Sequence, residues 1–419
     1  MTWDVACYYG YLTKAFNHKT DEPTIDELKM PAMFPPNKYV EAPNGNKVLK
    51  TSMGMALAYL PFYSLGYLLH YINHGSAGSG MEVEYRMMMQ FNGTFYLLAA
   101  LLILRYFLRK YFEDSIVALT LLLVALGTNA YYYTIYEGCM THVVNMFLFL
   151  LFLLITEKWH TEVTLINTIL LGLLAGWLSL IRPTNVLLGI LFTLYNVTSW
   201  SSFLAKLKFF YSKWNYLLLV CVSAFLVWIP QMIYWHELTG QYFFYSYLGE
   251  RFYFDRPCIF NGLLGGRKGW LLYTPAGWLM LAGFIWMYLK LKSLFWSTSV
   301  FYMVFVYVIF SWWCWWYGGS FSCRAMVDVY GILSFPLACL LSAVYLNAKT
   351  VTRVVFSIFL FALISLNLFQ TWQYKRGIIH FDSMSYSAYR KTFLKTTNQP
   401  DSIFTPPPLE QAGSGTCAE

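Results

Sequence analysis

Ten mostly apolar runs constrain this chain more than any other feature. A helix crosses the hydrocarbon core of a bilayer with about 17 to 25 such residues. With 58% hydrophobic and only 12% charged residues over 419 positions, the chain does not belong to the soluble globular class. We therefore predict an all-α, polytopic transmembrane helical bundle. The predicted crossings are 89–108, 115–136, 140–156, 163–181, 184–199, 215–235, 271–289, 294–315, 330–346 and 352–371.

The basic residues predict how this bundle is oriented. Lys and Arg accumulate in cytoplasmic loops, and placing alternate connections on alternate sides collects eleven of them on one side: Arg105, Arg109, Lys110, Lys158, Lys206, Lys208, Lys213, Lys290, Lys292, Lys349 and Arg353. That side is predicted to be cytoplasmic. The opposite connections, 131–142, 182–185, 236–270 and 316–329, are predicted to be extracytoplasmic.

Three units follow from this alternation. Residues 1–88 are predicted to form an extracytoplasmic loop with interfacial or re-entrant helices, 89–372 the transmembrane domain, and 373–419 an extracytoplasmic tail. The stretch 53–72 is assigned to the interface because it breaks the alternation and contains Pro61; an ordinary crossing is the alternative. If residues 1–52 lie outside, an eleventh crossing is expected upstream of Asp4.

The eight cysteines show no metal-binding spacing. Cys258 and Cys323 both lie in predicted extracytoplasmic loops. A disulfide between them and two free thiols in packed niches are both compatible with the sequence.

Several polar residues fall on the extracytoplasmic side together, and ionisable residues at a membrane boundary usually serve a substrate. They are Asp4, Glu137, His142, Arg182, Arg251, Arg324 and Asp328. Asp4 precedes tyrosines, a partly apolar setting that suits a general base. A divalent-metal ligand and a helix N-cap are the alternatives for Asp4.

Several further residues also have two interpretations each. Glu137 and His142 are spaced to bind a metal or a phosphate-linked acceptor together, or to form a tautomer-fixing pair with a packing role. Arg182, which precedes Pro183, is placed either to bind phosphate or to reach lipid headgroups. The glycine-rich loop 262–270 brings Arg267 and Lys268 to a pyrophosphate or to anionic headgroups.

Five motifs, in order along nearly the whole chain, resemble the integral-membrane GT-C glycosyltransferases, in particular bacterial relatives of the protein O-mannosyltransferases and aminoarabinose transferases. The motifs are Asp4 with Tyr8, Tyr9 and Tyr11; Lys50-Thr51-Ser52-Met53-Gly54 leading into Leu60-Pro61-Phe62; Leu126-Gly127-Thr128-Asn129; Arg182-Pro183-Thr184-Asn185; and the turn from Trp316 and Tyr317 to Arg324.

This resemblance implies a polyprenyl-phosphate sugar donor, a lipid, glycan or protein acceptor, and an active site facing the extracytoplasmic side of a bacterial inner membrane. Asp4 would be the general base and the arginines would stabilise the leaving phosphate. The remaining donor and acceptor contacts implied are Lys50, Glu137, His142, Asn185, Trp316, Tyr317 and Asp328. The chain lacks the paired acidic motif of metal-dependent members, which leaves a Mg²⁺ or Mn²⁺ requirement open.

Two other functions remain as alternatives. A transporter or flippase of a lipid-linked glycan also needs extracytoplasmic cations beside an apolar groove, but few charges lie near the centres of the predicted crossings. In a noncatalytic subunit of envelope assembly, Asp4 and the arginines would be structural.

Overall fold

The computed structural model describes residues 3–16, 39–404 and 417. Helices make up 71% of the structure and strands 2%. The helices of the N-terminal half are α1 Trp3–Phe16, α2 Gly54–His74, α3 Val83–Leu108, α4 Asp114–Leu126, α5 Ala130–Ile135, α6 Thr141–Thr161, α7 Leu165–Ile181, α8 Leu188–Thr193 and α9 Trp200–Ser212. Those of the C-terminal half are α10 Trp214–Thr239, α11 Ile259–Leu264, α12 Trp270–Tyr273, α13 Ala276–Lys290, α14 Lys292–Phe310, α15 Tyr330–Asn347, α16 Thr350–Lys375 and α17 Tyr386–Thr392. Strand β1 Tyr39–Glu41 pairs antiparallel with β2 Lys47–Leu49.

The predicted all-α class is confirmed, since most of the described chain is helical. Among the described residues, six helical segments are long and apolar enough to span a membrane: α3, α6, α10, α14, α16, and α15 with the 3₁₀ helix Arg324–Val329 before it. Four shorter apolar segments, α4, α7, residues 183–193 and α13, complete the set. All ten lie within or overlap the predicted runs. The number of crossings stays a prediction, and α2 lies outside the set of six.

Three predicted crossings are shorter or interrupted. The run 115–136 breaks at 127–129 between α4 and α5, where Asn367 of α16 donates to the carbonyls of Leu126 and Thr128, both at 2.8 Å. The run 184–199 opens as a 3₁₀ helix and its α8 ends at Thr193. The run 271–289 is interrupted at Pro275, which has no N–H to continue a helix.

Small residues bring α7 and α10 into close contact. Gly172 and Gly176 are four residues apart on α7, and a Cβ on Gly176 would lie 2.4 Å from the carbonyl oxygen of Ala224. A Cβ on Gly172 would lie 2.5 Å from the carbonyl oxygen of Val220. This spacing is the small-residue pattern that packs membrane helices backbone to backbone.

Replacing Gly176 with leucine is expected to destabilise the bundle by about 1–3 kcal/mol or more, because the backbone of α10 has to move away. Thermal unfolding in detergent measures the effect. Gly189→Leu is the matched control, since nothing lies within 4 Å of a Cβ built at Gly189. Equal stability of the two variants would show that close packing of α7 and α10 is not required.

Residues of the predicted cytoplasmic side lie at one end of the bundle, and Asp4 lies at the other end. At one end, Lys110 after α3 forms an ion pair with Glu157 of α6, and the ring of Phe209 from α9 lies 5.7 Å from that of Trp159. These residues belong to the predicted cytoplasmic side. The termini of α1, α2 and α7 that meet near Asp4 lie at the other end, where a Cβ on Gly54 would be 2.4 Å from the backbone nitrogen of Ile181.

The described part of the predicted tail packs against the loop 262–270. The hydroxyl of Tyr386 donates to the carbonyl of Leu264 at 3.0 Å, and Ala388 of α17 is fully buried. Residues 1–2, 17–38, 405–416 and 418–419 of the predicted terminal units lie outside the described residues.

The disulfide joins a pair of cysteines that the sequence did not indicate. Cys258 is bonded to Cys417, with their Cα atoms 5.3 Å apart, so the Cys258–Cys323 pairing is wrong. Cys323 is a buried free thiol, because the segment 321–323 is held inside the bundle.

Candidate active site

An ion pair between Asp4 and Arg324 lies at the centre of the candidate site. The carboxylate Oδ2 accepts from the guanidinium at 3.1 Å. Asp4 occupies the first turn of α1, where the helix dipole favours an anion. The N-cap alternative is therefore wrong, since α1 begins at Trp3. The expected partly apolar setting is only part of its surroundings, because the carboxylate is paired with a cation and its side chain is 36% exposed.

Arg324 is positioned by the break between α4 and α5. Asn129, the last residue of that break, donates to the carbonyls of Phe321 and Cys323 at 3.2 and 3.3 Å. The hydroxyl of Tyr330 in turn donates to Asn129 Oδ1. The motif Leu126 to Asn129 thus fixes the chain directly before Arg324, which begins the 3₁₀ helix Arg324–Val329.

A buried polar network lies behind the ion pair. His142 Nδ1 is 2.7 Å from Asp328 Oδ1, and Asn145 donates to Asp328 Oδ2 at 2.8 Å. Asn185 donates to Asn145 Oδ1 at 3.3 Å and to the carbonyl of Leu178 at 3.0 Å. The hydrogen-bond partner of His142 is therefore Asp328 rather than Glu137. The network joins α6, the end of α7 and the 3₁₀ helix into one support.

Arg182 is a cation without a direct partner in the described part of the chain. Among the described residues its guanidinium forms no ion pair or hydrogen bond, although it interacts electrostatically with Asp328, Tyr8 and Arg324. Its side chain is partly exposed. A free guanidinium beside a second arginine is suited to binding a phosphate.

Glu137 supplies a second carboxylate near Arg324. A Cβ on Gly93 would lie 2.4 Å from the Cα of Gly138, so the loop carrying Glu137 is packed directly on α3. Tyr132 donates to Glu137 Oε1 at 3.1 Å, whereas the buried Oε2 has no partner among the described residues. Burial raises the pKa of Glu137 above its ordinary value, an effect that the nearby Arg324 opposes.

Replacing Glu137 with glutamine is expected to stabilise the protein by about 1 kcal/mol at neutral pH, the scale of one buried polar group left unpaired. The pKa of Glu137 is higher in the folded state than in the unfolded state. As the pH rises above the ordinary pKa of glutamate, ionising Glu137 therefore lowers the free energy of unfolding. The gain should therefore shrink as the pH is lowered towards 5. Thermal unfolding at several pH values measures it, with Glu237→Gln on an exposed part of α10 as the control. A gain independent of pH would contradict the assignment of a buried, costly charge.

Lys50 lies at the edge of the site. Its ammonium pairs with Glu250 and lies 5.6 Å from the ring centroid of Tyr247. Tyr247 interacts electrostatically with Asp4 and Arg182. The loop 241–250 therefore covers the side of the site next to Lys50.

Other predicted residues have partners elsewhere. Arg267 is buried, binds both oxygens of Asp382 at 3.1 Å, and stacks 3.8 Å from the ring centroid of Trp316. Lys268 donates to the carbonyls of Ser320 and Phe381, and burial lowers its pKa to about 7. The expected phosphate-binding role of the loop 262–270 is therefore not supported. Its glycines instead allow close packing, since a Cβ on Gly266 would lie 2.2 Å from the backbone of Tyr386.

Arg251, Trp316 and Tyr317 were expected to contact the donor. Arg251 is exposed and lies over the ring of Tyr253, 4.8 Å from its centroid. The hydroxyl of Tyr317 donates to the carbonyl of Ile309 at 3.0 Å, so this ring belongs to the wall of the site. Trp316 already has one face covered by Arg267. Arg251 is therefore not placed with Asp4, whereas contacts of Trp316 and Tyr317 with a donor stay predictions.

The described residues around Asp4 do not fit a resident Mg²⁺ or Mn²⁺. Such ions take several oxygen ligands, and the direct partner of the Asp4 carboxylate is a guanidinium. The cluster of three potential metal ligands found among the described residues is formed by His70, His74 and Glu84, on α2 and α3.

Sequence reasoning missed the residues that support the site. Tyr132, Asn145, Tyr247 and Glu250 have common residue types in apolar or irregular segments, and only the packing of α5, α6 and the loop 241–250 brings them to the site. No family model, curated protein or solved structure matches this chain.

Proposed function

We propose that this protein is a membrane-embedded glycosyltransferase that transfers a sugar from a polyprenyl-phosphate donor to an acceptor hydroxyl, with inversion at the anomeric carbon. The observation that carries the proposal is the grouping of a partly exposed carboxylate, Asp4, with two arginines, of which Arg182 has no direct partner among the described residues. A proton acceptor next to cations is what displacement of a phosphate leaving group requires.

Asp4 acts on the attacking hydroxyl. Its carboxylate takes the hydroxyl proton while the acceptor oxygen forms a bond to the anomeric carbon. The bond from that carbon to the phosphate oxygen breaks, and its electron pair stays with the phosphate. The products are the glycosylated acceptor and the polyprenyl phosphate.

The arginines bind the phosphate. Arg182 makes no direct hydrogen bond or ion pair with a described residue, and Arg324 carries the second positive charge 3.1 Å from the base. When the donor phosphate enters, Arg324 exchanges part of its interaction with Asp4 for the phosphate, which leaves the carboxylate available to accept a proton. Charge-assisted hydrogen bonds of this kind are stronger in a water-excluded site than in bulk water.

The apolar helices provide the surroundings for the lipid part of the donor. The polyprenyl chain lies against the bundle while its sugar phosphate reaches the end of the bundle that carries Asp4. We assign that end to the extracytoplasmic side of a bacterial inner membrane, and the acceptor to the lipid, glycan and protein hydroxyls found there.

A transfer assay tests the proposal. Purified protein in detergent is incubated with a panel of radiolabelled polyprenyl-phosphate sugars and cell-envelope acceptors. Label transfer from at least one donor, with inverted stereochemistry, supports the glycosyltransferase. The same donors in proteoliposomes test the transporter alternative, since movement of intact donor across the membrane without transfer would replace the proposal.

A further inference from the structure

Three side chains that commonly bind metals meet where α2 ends and α3 begins. His70 and His74 are four residues apart on α2, so they project from the same helix face. Glu84 lies in the first turn of α3. His70 Nδ1 is 3.2 Å from Glu84 Oε2, and His74 Nε2 is 3.2 Å from Glu84 Oε1.

These distances suit a tetrahedral zinc ion. Ligands bonded to Zn²⁺ at about 2.0–2.1 Å are about 3.3 Å apart in a tetrahedral site. One ligand atom from each of the three residues lies within 4.8 Å of the others. The two imidazole rings lie side by side, with centroids 4.4 Å apart, and both contact the Glu84 carboxylate. Metal binding requires the three ligand atoms to close from within 4.8 Å of one another to about 3.3 Å.

The surroundings support the same arrangement. The amide of Asn73 donates to Glu84 Oε1 at 3.4 Å, which orients the carboxylate as outer-shell groups do in metal sites. His70 is buried, whereas the side chain of His74 is 54% exposed. A metal entering from solvent would therefore find one fixed ligand and one accessible ligand, with the fourth position open to water.

We propose that His70, His74 and Glu84 bind a divalent transition metal of the zinc class and that this metal joins α2 to α3. Two imidazoles and one carboxylate favour Zn²⁺ over Mg²⁺ or Ca²⁺, which prefer oxygen ligands. The bound metal fixes the turn 75–82, in which Gly75, Gly78 and Gly80 have positive φ angles.

This site is structural and separate from the candidate active site. Tyr59 of α2 is the residue whose ring lies 6.5 Å from Tyr8, near Asp4. His70 is eleven residues further along the same helix, about 16 Å at 1.5 Å per residue. The metal proposal therefore does not depend on the proposed sugar transfer.

Zinc binding by the full chain tests the proposal. Tag-free protein is treated with EDTA, desalted and titrated with Zn²⁺, and bound metal is measured by mass spectrometry and calorimetry. One Zn²⁺ per chain is expected, together with a higher unfolding temperature. His74→Ala and Glu84→Gln are each expected to weaken Zn²⁺ binding by about 100-fold or more, since loss of an outer-shell group alone costs 10–100-fold.

His236→Ala is the matched control, because His236 is an exposed histidine that stacks on Tyr242 outside the cluster. Its zinc affinity should equal that of the wild type. The unfolding temperature of metal-free His74→Ala shows whether that variant folds. Absence of stoichiometric zinc binding by the wild type, or equal affinity in His74→Ala and His236→Ala, would overturn the proposal.

Discussion

Replacing Asp4 with asparagine is expected to slow sugar transfer by about 10²- to 10⁴-fold, the usual contribution of general acid–base catalysis. Asparagine has nearly the same shape as aspartate but does not accept the hydroxyl proton. Donor binding is expected to stay close to that of the wild type, because the proposed phosphate contacts come from Arg182 and Arg324. The ion pair with Arg324 is partly exposed, so its loss should change stability by no more than about 1 kcal/mol.

Asp255→Asn is the matched control for this variant. Asp255 is an exposed acid paired weakly with its neighbour Arg256 at 3.8 Å, and its replacement should leave transfer unchanged. Retained transfer in Asp4→Asn would move the base role to another group. Glu137 is the next candidate, because its buried Oε2 has no partner among the described residues and burial raises the pKa of its carboxyl group.

Replacing Arg182 with alanine is expected to weaken donor binding by about 10- to 150-fold, which corresponds to the 1.5–3 kcal/mol of a hydrogen bond to a charged group. Transfer should fall with it. Because Arg182 makes no direct hydrogen bond or ion pair with a described residue, the unfolding temperature should change little. Arg182→Lys retains the charge without the planar fork and should recover part of the binding. Binding of a labelled polyprenyl-phosphate sugar to detergent-solubilised protein measures these effects.

Arg256→Ala, which removes an exposed arginine stacked on Tyr253, controls for a general loss of positive charge. If Arg182 instead contacts lipid headgroups, Arg182→Ala and Arg256→Ala would bind donor equally well. That result would remove Arg182 from the site and leave Arg324 as its remaining proposed phosphate ligand.

Apolar run length predicted the helical class and most helix positions. The ends of α6, α7 and α16 lie close to the predicted boundaries because a membrane helix must be apolar along most of its length. The same criterion failed at the run 184–199, where Pro183 begins a 3₁₀ helix and α8 is short. It also failed at 127–129, where a side chain of α16 satisfies the interrupted backbone. Such tertiary compensation leaves no pattern in local hydropathy.

The sequence predicted which residues lie at the same end of the bundle as the candidate site, but not how they pair. Assigning successive loops to opposite sides of the membrane placed Asp4, Arg182 and Arg324 at the same end of the bundle. The structure brings these three residues together. The assignment of loops did not indicate which charges pair with each other. The Arg267–Asp382 pair joins residues 115 positions apart, and the His142–Asp328 pair joins residues 186 apart. Those pairings depend on helix packing, so residue type and spacing alone do not distinguish a free cation from an occupied one.

The reaction products test the central claim most directly. Wild-type protein and Asp4→Asn are each loaded with a defined polyprenyl-phosphate sugar, an acceptor is added, and both products are quantified by mass spectrometry. The account predicts that the wild type forms glycosylated acceptor and polyprenyl phosphate in equal amounts, while Asp4→Asn keeps the bound donor intact. Intact donor in both proteins across the whole panel, despite measurable binding, would contradict a glycosyltransferase.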